Sequence, residues 1–208
     1  PIFTDMMVTT HALAGLLLAV PVALVAPEFA VAAAVAGFAG GVFPDLDMPG
    51  QHRRTLHFPV YYTLAALGAT VIAVLGPGAW TVGAALFLAS AAVHSLADAL
   101  GGDLELRPWE EAGDRGVYSH YHRRWWRPRR WVRYDGAPED AVATIGLGLL
   151  ALAAYDGRFD AVVAGTVVVG VVYAVLRRRI VQWGERTVAA LPEETVEQLP
   201  DSLVEDLR

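Results

Sequence analysis

The chain has 208 residues, 55% of them hydrophobic, and a formal net charge of −6. A soluble domain of this size carries more charge and fewer apolar residues, and here the apolar residues come in blocks, so a membrane protein is expected. Cysteine is absent, which excludes disulfides, zinc fingers and thiol nucleophiles and leaves His, Asp and Glu to hold any metal.

Six apolar segments can be read in order. The start, Pro1 to Thr10, has no cationic run, so the first segment, His11 to Ala26 with a kink expected at Pro21, is read as a retained span and not a cleaved leader. The second, Phe29 to Phe43, is rich in Ala and Gly and short, because a crossing takes roughly 17 to 25 residues; its small side chains allow neighbouring helices to approach. The third, Phe58 to Leu75, ends at the turn signal Gly76-Pro77-Gly78. The fourth runs from Ala79 to Leu100. A polar insert, 101–140, interleaves Arg with Tyr and Trp. The fifth and sixth, Ala141 to Tyr155 and Ala161 to Leu176, form a hairpin. A polar tail follows, with short helices expected over Glu193 to Gln198 and Asp201 to Leu207 after Pro192 and Pro200.

The expected fold is therefore all-α: a polytopic bundle of about six transmembrane helices over 1–180, carrying an Arg/Trp-rich insert and ending in a short amphipathic tail over 181–208. All 16 basic residues are Arg. With six crossings, every one except Arg158 falls on the side that holds both termini. The positive-inside rule makes that side cytoplasmic, in a multi-pass protein of the inner or plasma membrane. In the insert, basic and aromatic residues together can bind single-stranded nucleic acid. Between two spans they fit an interfacial belt against lipid headgroups better, so the expected partner is membrane lipid and not nucleic acid.

All six histidines and Asp45, Asp47 and Asp98 fall at or beyond the cytoplasmic ends of the spans. Ionisable groups are costly against hydrocarbon unless they pair, coordinate an ion or face water. Asp45-Leu46-Asp47 follows a proline; in an extended stretch both carboxylates face one way and reach one cation. His94 and Asp98 are four apart and share a helix face. His52 and His57, about 140° apart on a helix, converge more readily from a loop. Segments this distant in sequence, bringing ligand-type residues to one depth, point to a shared metal site.

In order and spacing over 10–110, Thr10-His11, Pro44-Asp45-Leu46-Asp47, His52-Arg53-Arg54-Thr55-Leu56-His57 and His94-Ser95-Leu96-Ala97-Asp98 resemble the YdjM-like family of inner-membrane, metal-dependent hydrolases. Leu106-Arg107-Pro108-Trp109 resembles the stretch after the family's last motif. The third motif departs from the family's His-Arg-Gly-x-Thr-His: Arg54 stands in place of the glycine, and the threonine comes one position early. The resemblance implies metal binding first and hydrolysis second. The expected ligands are His11, Asp45, Asp47, His57, His94 and Asp98. That is too many for one tetrahedral ion, so two divalent ions are envisaged, zinc before manganese or magnesium. Asp47 and His52 are expected in the reaction, His52 as general acid or base, while Arg53 and Arg54 grip phosphate oxygens. The expected activity is phosphoester hydrolysis of a lipid or other amphiphile. The alternatives are a metal or proton transporter, disfavoured because transporters place polar groups near the midplane, and a non-catalytic protein with a structural metal.

Overall fold

The computed structural model describes residues 6–48, 50–110, 113–155, 157–196 and 198. It is mostly helical. Helix α1 (Val8–Leu18) and the short α2 (Val20–Val25) are separated only at Ala19. Pro21 enforces the break, because it lacks an N–H and its ring crowds the preceding turn. Helix α3 (Ala30–Val42) lies between two tight turns, Pro27–Phe29 and Phe43–Asp47. Helices α4 (Pro59–Leu75) and α5 (Ala79–Ala97) meet at the Gly76-Pro77-Gly78 turn, as the sequence predicts. Helices α6 (Pro138–Ala154) and α7 (Asp160–Ala190) form the second hairpin, and one turn of helix, α8 (Glu193–Val196), follows Pro192. The helix expected over Asp201 to Leu207 lies outside the described residues.

Helix α3 is the centre of the bundle. It packs against α1 on one side and α5 on the other; α4 covers α5, and α6 joins α1 to α7. Glycines make the central crossings possible. A Cβ on Gly15 would overlap the Gly37 carbonyl, and one on Gly37 would overlap that of Gly15, so α1 and α3 touch backbone to backbone. The core between them is Leu13, Leu16, Ala33 and Ala34, each at most 2% exposed. Outward, Leu64, Leu67, Val71 and Leu75 of α4 and Val168, Val169 and Val175 of α7 are exposed. Such apolar flanks are what a bilayer covers.

Among the described residues four helical stretches are long and apolar enough to cross a membrane: Val8–Val25, Pro27–Asp47, Ala79–Ala97 and Asp160–Ala190. The second gains its length from the flanking tight turns, which extend a helix that looks short in sequence. The other two expected spans are shorter. Helix α4 is apolar but has 17 residues, and α6, also of 17, opens on Glu139 and Asp140.

Two features depart from the expectation. The insert contains an antiparallel hairpin, β1 (Val117–Ser119) with β2 (Arg124–Trp126), paired Val117 to Trp126 and Ser119 to Arg124. And α7 does not end near Leu176; it continues through 180 to Ala190. The reason lies at Arg177, whose Nε donates to both oxygens of Asp135 at 2.8 and 3.0 Å. Tyr173 donates to the same carboxylate. The arginine thus stays buried on a helix face, and the chain has no cause to leave the helix there.

Candidate metal centre

Four stretches deliver the chemistry. His11 comes from α1, Asp45 from the turn closing α3, His57 from the loop before α4, and His94 and Asp98 from the end of α5. Gly41, the penultimate residue of α3, sets their mutual depth. A Cβ there would overlap the His11 carbonyl, so only glycine lets α1 lie this close. Its own carbonyl accepts the His94 Nδ1–H at 2.6 Å. His94 in turn stacks on His11, with ring centroids 3.8 Å apart.

Six buried atoms of these five residues have no hydrogen-bond partner: His11 Nε2, Asp45 Oδ1, His57 Nε2, His94 Nε2 and both oxygens of Asp98. They face one another. His57 Nε2 lies 3.0 Å from Asp98 Oδ2, and His94 Nε2 lies 3.1 Å from Asp45 Oδ1. His11 Nε2 is 3.3 Å from Asp98 Oδ1, and His94 Nε2 is 3.5 Å from Asp98 Oδ2. Around a cation bonded at about 2.1 Å, neighbouring donors stand roughly 3.0 to 3.4 Å apart. An unpaired buried polar atom costs on the order of 1–3 kcal/mol, and a cation held by the triad His11–His94–Asp98 or Asp45–His57–His94, which share His94, would relieve that cost for its donors. The charge also fits, since two carboxylates and three neutral imidazoles balance a divalent ion. These buried His and Asp side chains can therefore hold a metal.

Asp47 plays a different part from Asp45. An extended Asp45-Leu46-Asp47, which the preceding proline favours, would turn both carboxylates one way. The stretch is instead a tight helical turn, in which residues two apart are rotated by about 240°. Asp45 points to the five-residue cluster and Asp47 points to the loop. One Asp47 oxygen accepts the His52 Nδ1–H at 2.6 Å. The other accepts the His57 Nδ1–H at 3.0 Å and the Leu56 N–H at 2.9 Å. Asp47, His52 and His57 also lie close enough to hold an ion, but these atoms already satisfy each other. The bond to Asp47 fixes the His57 tautomer and turns Nε2 to the centre, as a carboxylate behind a metal-bound histidine does. Burial pushes the His57 pKa down; the Asp47 and Asp98 carboxylates outweigh it and hold it above the ordinary value.

The two arginines are not equivalent. Arg53 is fully buried and donates from Nη1 to the carbonyls of Gly102 (2.7 Å) and Gly116 (3.1 Å). Its own carbonyl accepts from Tyr118 N–H at 2.9 Å. It is a strut tying the insert to the site, a role that a phosphate-gripping reading misses. Arg54 is half-buried, with its guanidinium over the Tyr118 ring. His120 donates to the Arg54 carbonyl, and His122 pairs with Ser119, so neither joins the cluster. Asp140 escapes the sequence reading altogether. Fully buried at the start of α6, it accepts from Met7 N–H at 2.7 Å and Thr10 Oγ1 at 2.6 Å, which anchors α1 beside His11. A carboxylate opening a helix looks like ordinary N-terminal charge, so only its partners reveal it.

Comparison with protein-family models, with curated proteins and with solved structures finds no match.

Proposed function

We propose that this protein is a membrane-embedded, metal-dependent hydrolase that cleaves a phosphoester of a lipid or other amphiphilic substrate at the cytoplasmic membrane surface, with both termini on that side. The observation that carries the reading is the convergence of six unpartnered buried donors from four chain segments. The order of motifs resembling the YdjM-like hydrolases and the arginine bias support it further.

The metal is one divalent ion. Both donor triads around the centre, His11–His94–Asp98 and Asp45–His57–His94, use His94. Its Nδ1 is committed to Gly41, and one nitrogen lone pair serves one ion. Three imidazoles with carboxylates suit zinc, then manganese, better than magnesium, which prefers oxygen donors. Such an ion supplies Lewis acidity that activates water and polarises a phosphoryl oxygen. The chain's own residues do the rest. Asp47 orients His57, the Gly41 carbonyl orients His94, and Asp140 with Thr10 holds α1 in place. His52, bonded to Asp47 with its ring against that of His57, serves as general acid or base, and Arg54 is the cation of its pair left near the surface to meet a phosphate.

The test is elemental analysis of the detergent-purified protein, then a screen of phospholipids and simple phosphate esters. One equivalent of divalent metal and turnover, both lost in His94→Ala, are expected. Absence of bound metal in the unmutated protein overturns the reading. One observation favours the alternative of a non-catalytic centre that staples the four segments: none of the five residues is more than 5% exposed. Metal retained with no turnover selects that alternative.

A further inference from the structure

Around α5 from the metal centre, the hairpin and the end of the helix enclose an open groove of about 1090 Å³. That volume is slightly above the roughly 300–1,000 Å³ usual for sites that take small organic ligands. One wall is apolar. Val93, Leu96 and Leu100 recur at helical spacing on a face turned away from His94 and Asp98. Val93 and Leu96 are about two-fifths exposed, whereas His94 and Asp98 are buried. The other wall is cationic, with Arg124, Arg127 and Arg129 interleaved with Trp125 and Trp126.

The two walls are fixed to each other. Backbone N–H groups of Arg129, Arg130 and Trp131 donate to the carbonyls of Ala99, Gly101 and Leu100, each at 2.9 Å. Arg127 pairs with Asp114 in a contact exposed on both sides. Among the described residues no carboxylate pairs with Arg124 or Arg129. The groove therefore joins an apolar floor, on a helix long and apolar enough to cross a membrane, to unneutralised guanidiniums at that helix's polar end. An anionic phospholipid has the same division, with acyl chains on one side of a phosphate that guanidiniums bind bidentately. Tryptophan favours the same boundary.

We propose that this groove binds an anionic phospholipid, with an acyl chain along Val93, Leu96 and Leu100 and the phosphate held by Arg124 and Arg129. The site is separate from the metal centre and does not depend on the hydrolase reading.

The full-length protein in neutral detergent is titrated with phosphatidylglycerol or phosphatidylcholine, and retained lipid is counted by native mass spectrometry. Phosphatidylglycerol is expected to be retained about tenfold better. R124A/R129A loses the preference and R158A, at the opposite end of the bundle, keeps it. Leu96→Trp, which fills the groove from the helix side and leaves the arginines in place, lowers retention of phosphatidylglycerol. Equal retention of the two lipids by the unmutated protein, or an undiminished preference in R124A/R129A, overturns the proposal. So does displacement of phosphatidylglycerol by inorganic phosphate, which would assign the arginines to a soluble anion.

Discussion

At the scale of single residues, Asp98 and Asp47 use the same carboxylate in opposite ways. Both oxygens of Asp98 face the gap between imidazoles with no hydrogen bond, whereas those of Asp47 take three donors from the loop that carries His57. Asp98→Ala should therefore abolish metal binding, while Asp47→Ala, which releases the His57 ring, His52 and the Leu56 N–H but removes none of the six facing atoms, should weaken it about 10- to 100-fold. Chelator competition measures both, and equal losses would place Asp47 among the donors. Protons compete with the metal in a defined direction. Because Asp47 and Asp98 outweigh burial and raise the His57 pKa, the metal-free protein keeps that proton to higher pH than a free imidazole does. Metal uptake should then release a proton, and affinity should fall as pH drops through the raised value. Titration with zinc in weak buffer, followed by a pH electrode or dye, reads the release.

At the scale of elements, the site depends on how closely α1, α3 and α5 approach. Gly41→Val would drive a side chain into the α1 backbone at His11. It should cost about 1–3 kcal/mol by overpacking and reduce bound metal. Gly68→Ala, where a Cβ meets nothing within 4 Å, should be neutral or stabilising by up to about 1 kcal/mol. Thermal unfolding in detergent with metal analysis separates the two. The buried pair of Arg177 with Asp135 ties α7 to the insert in the same fashion. Arg177→Ala should cost about 3–5 kcal/mol, because it strands the Asp135 charge, and should shorten the ordered part of α7 as read by hydrogen exchange.

At the scale of the whole molecule, the absence of cysteine makes the proposed topology easy to probe. Thr55 and Arg158 are both exposed and belong to opposite ends of the bundle. In intact cells, Arg158→Cys should react with an impermeant maleimide, and Thr55→Cys should react only after permeabilisation. The reverse pattern would put the metal centre on the outer surface and remove the basis for a cytoplasmic substrate.

Residue type and position in the chain are enough to place the histidines and Asp45, Asp47 and Asp98 at or beyond the ends of apolar segments. Apolar blocks define helices locally, and a polar group next to a helix end is visible without any fold. Tertiary structure alone decides which of these groups face a common point. Whether Asp47 joins Asp45 depends on a tight turn in place of an extended strand. Arg53 becomes a strut because the carbonyls of Gly102 and Gly116, about fifty and sixty residues away, come to it. The length of α7 and the anchoring of α1 by Asp140 also follow from partners remote in sequence. Local periodicity records how each segment folds on itself; the direction of a side chain across the bundle is set by contacts between segments, and those contacts leave no local pattern to read.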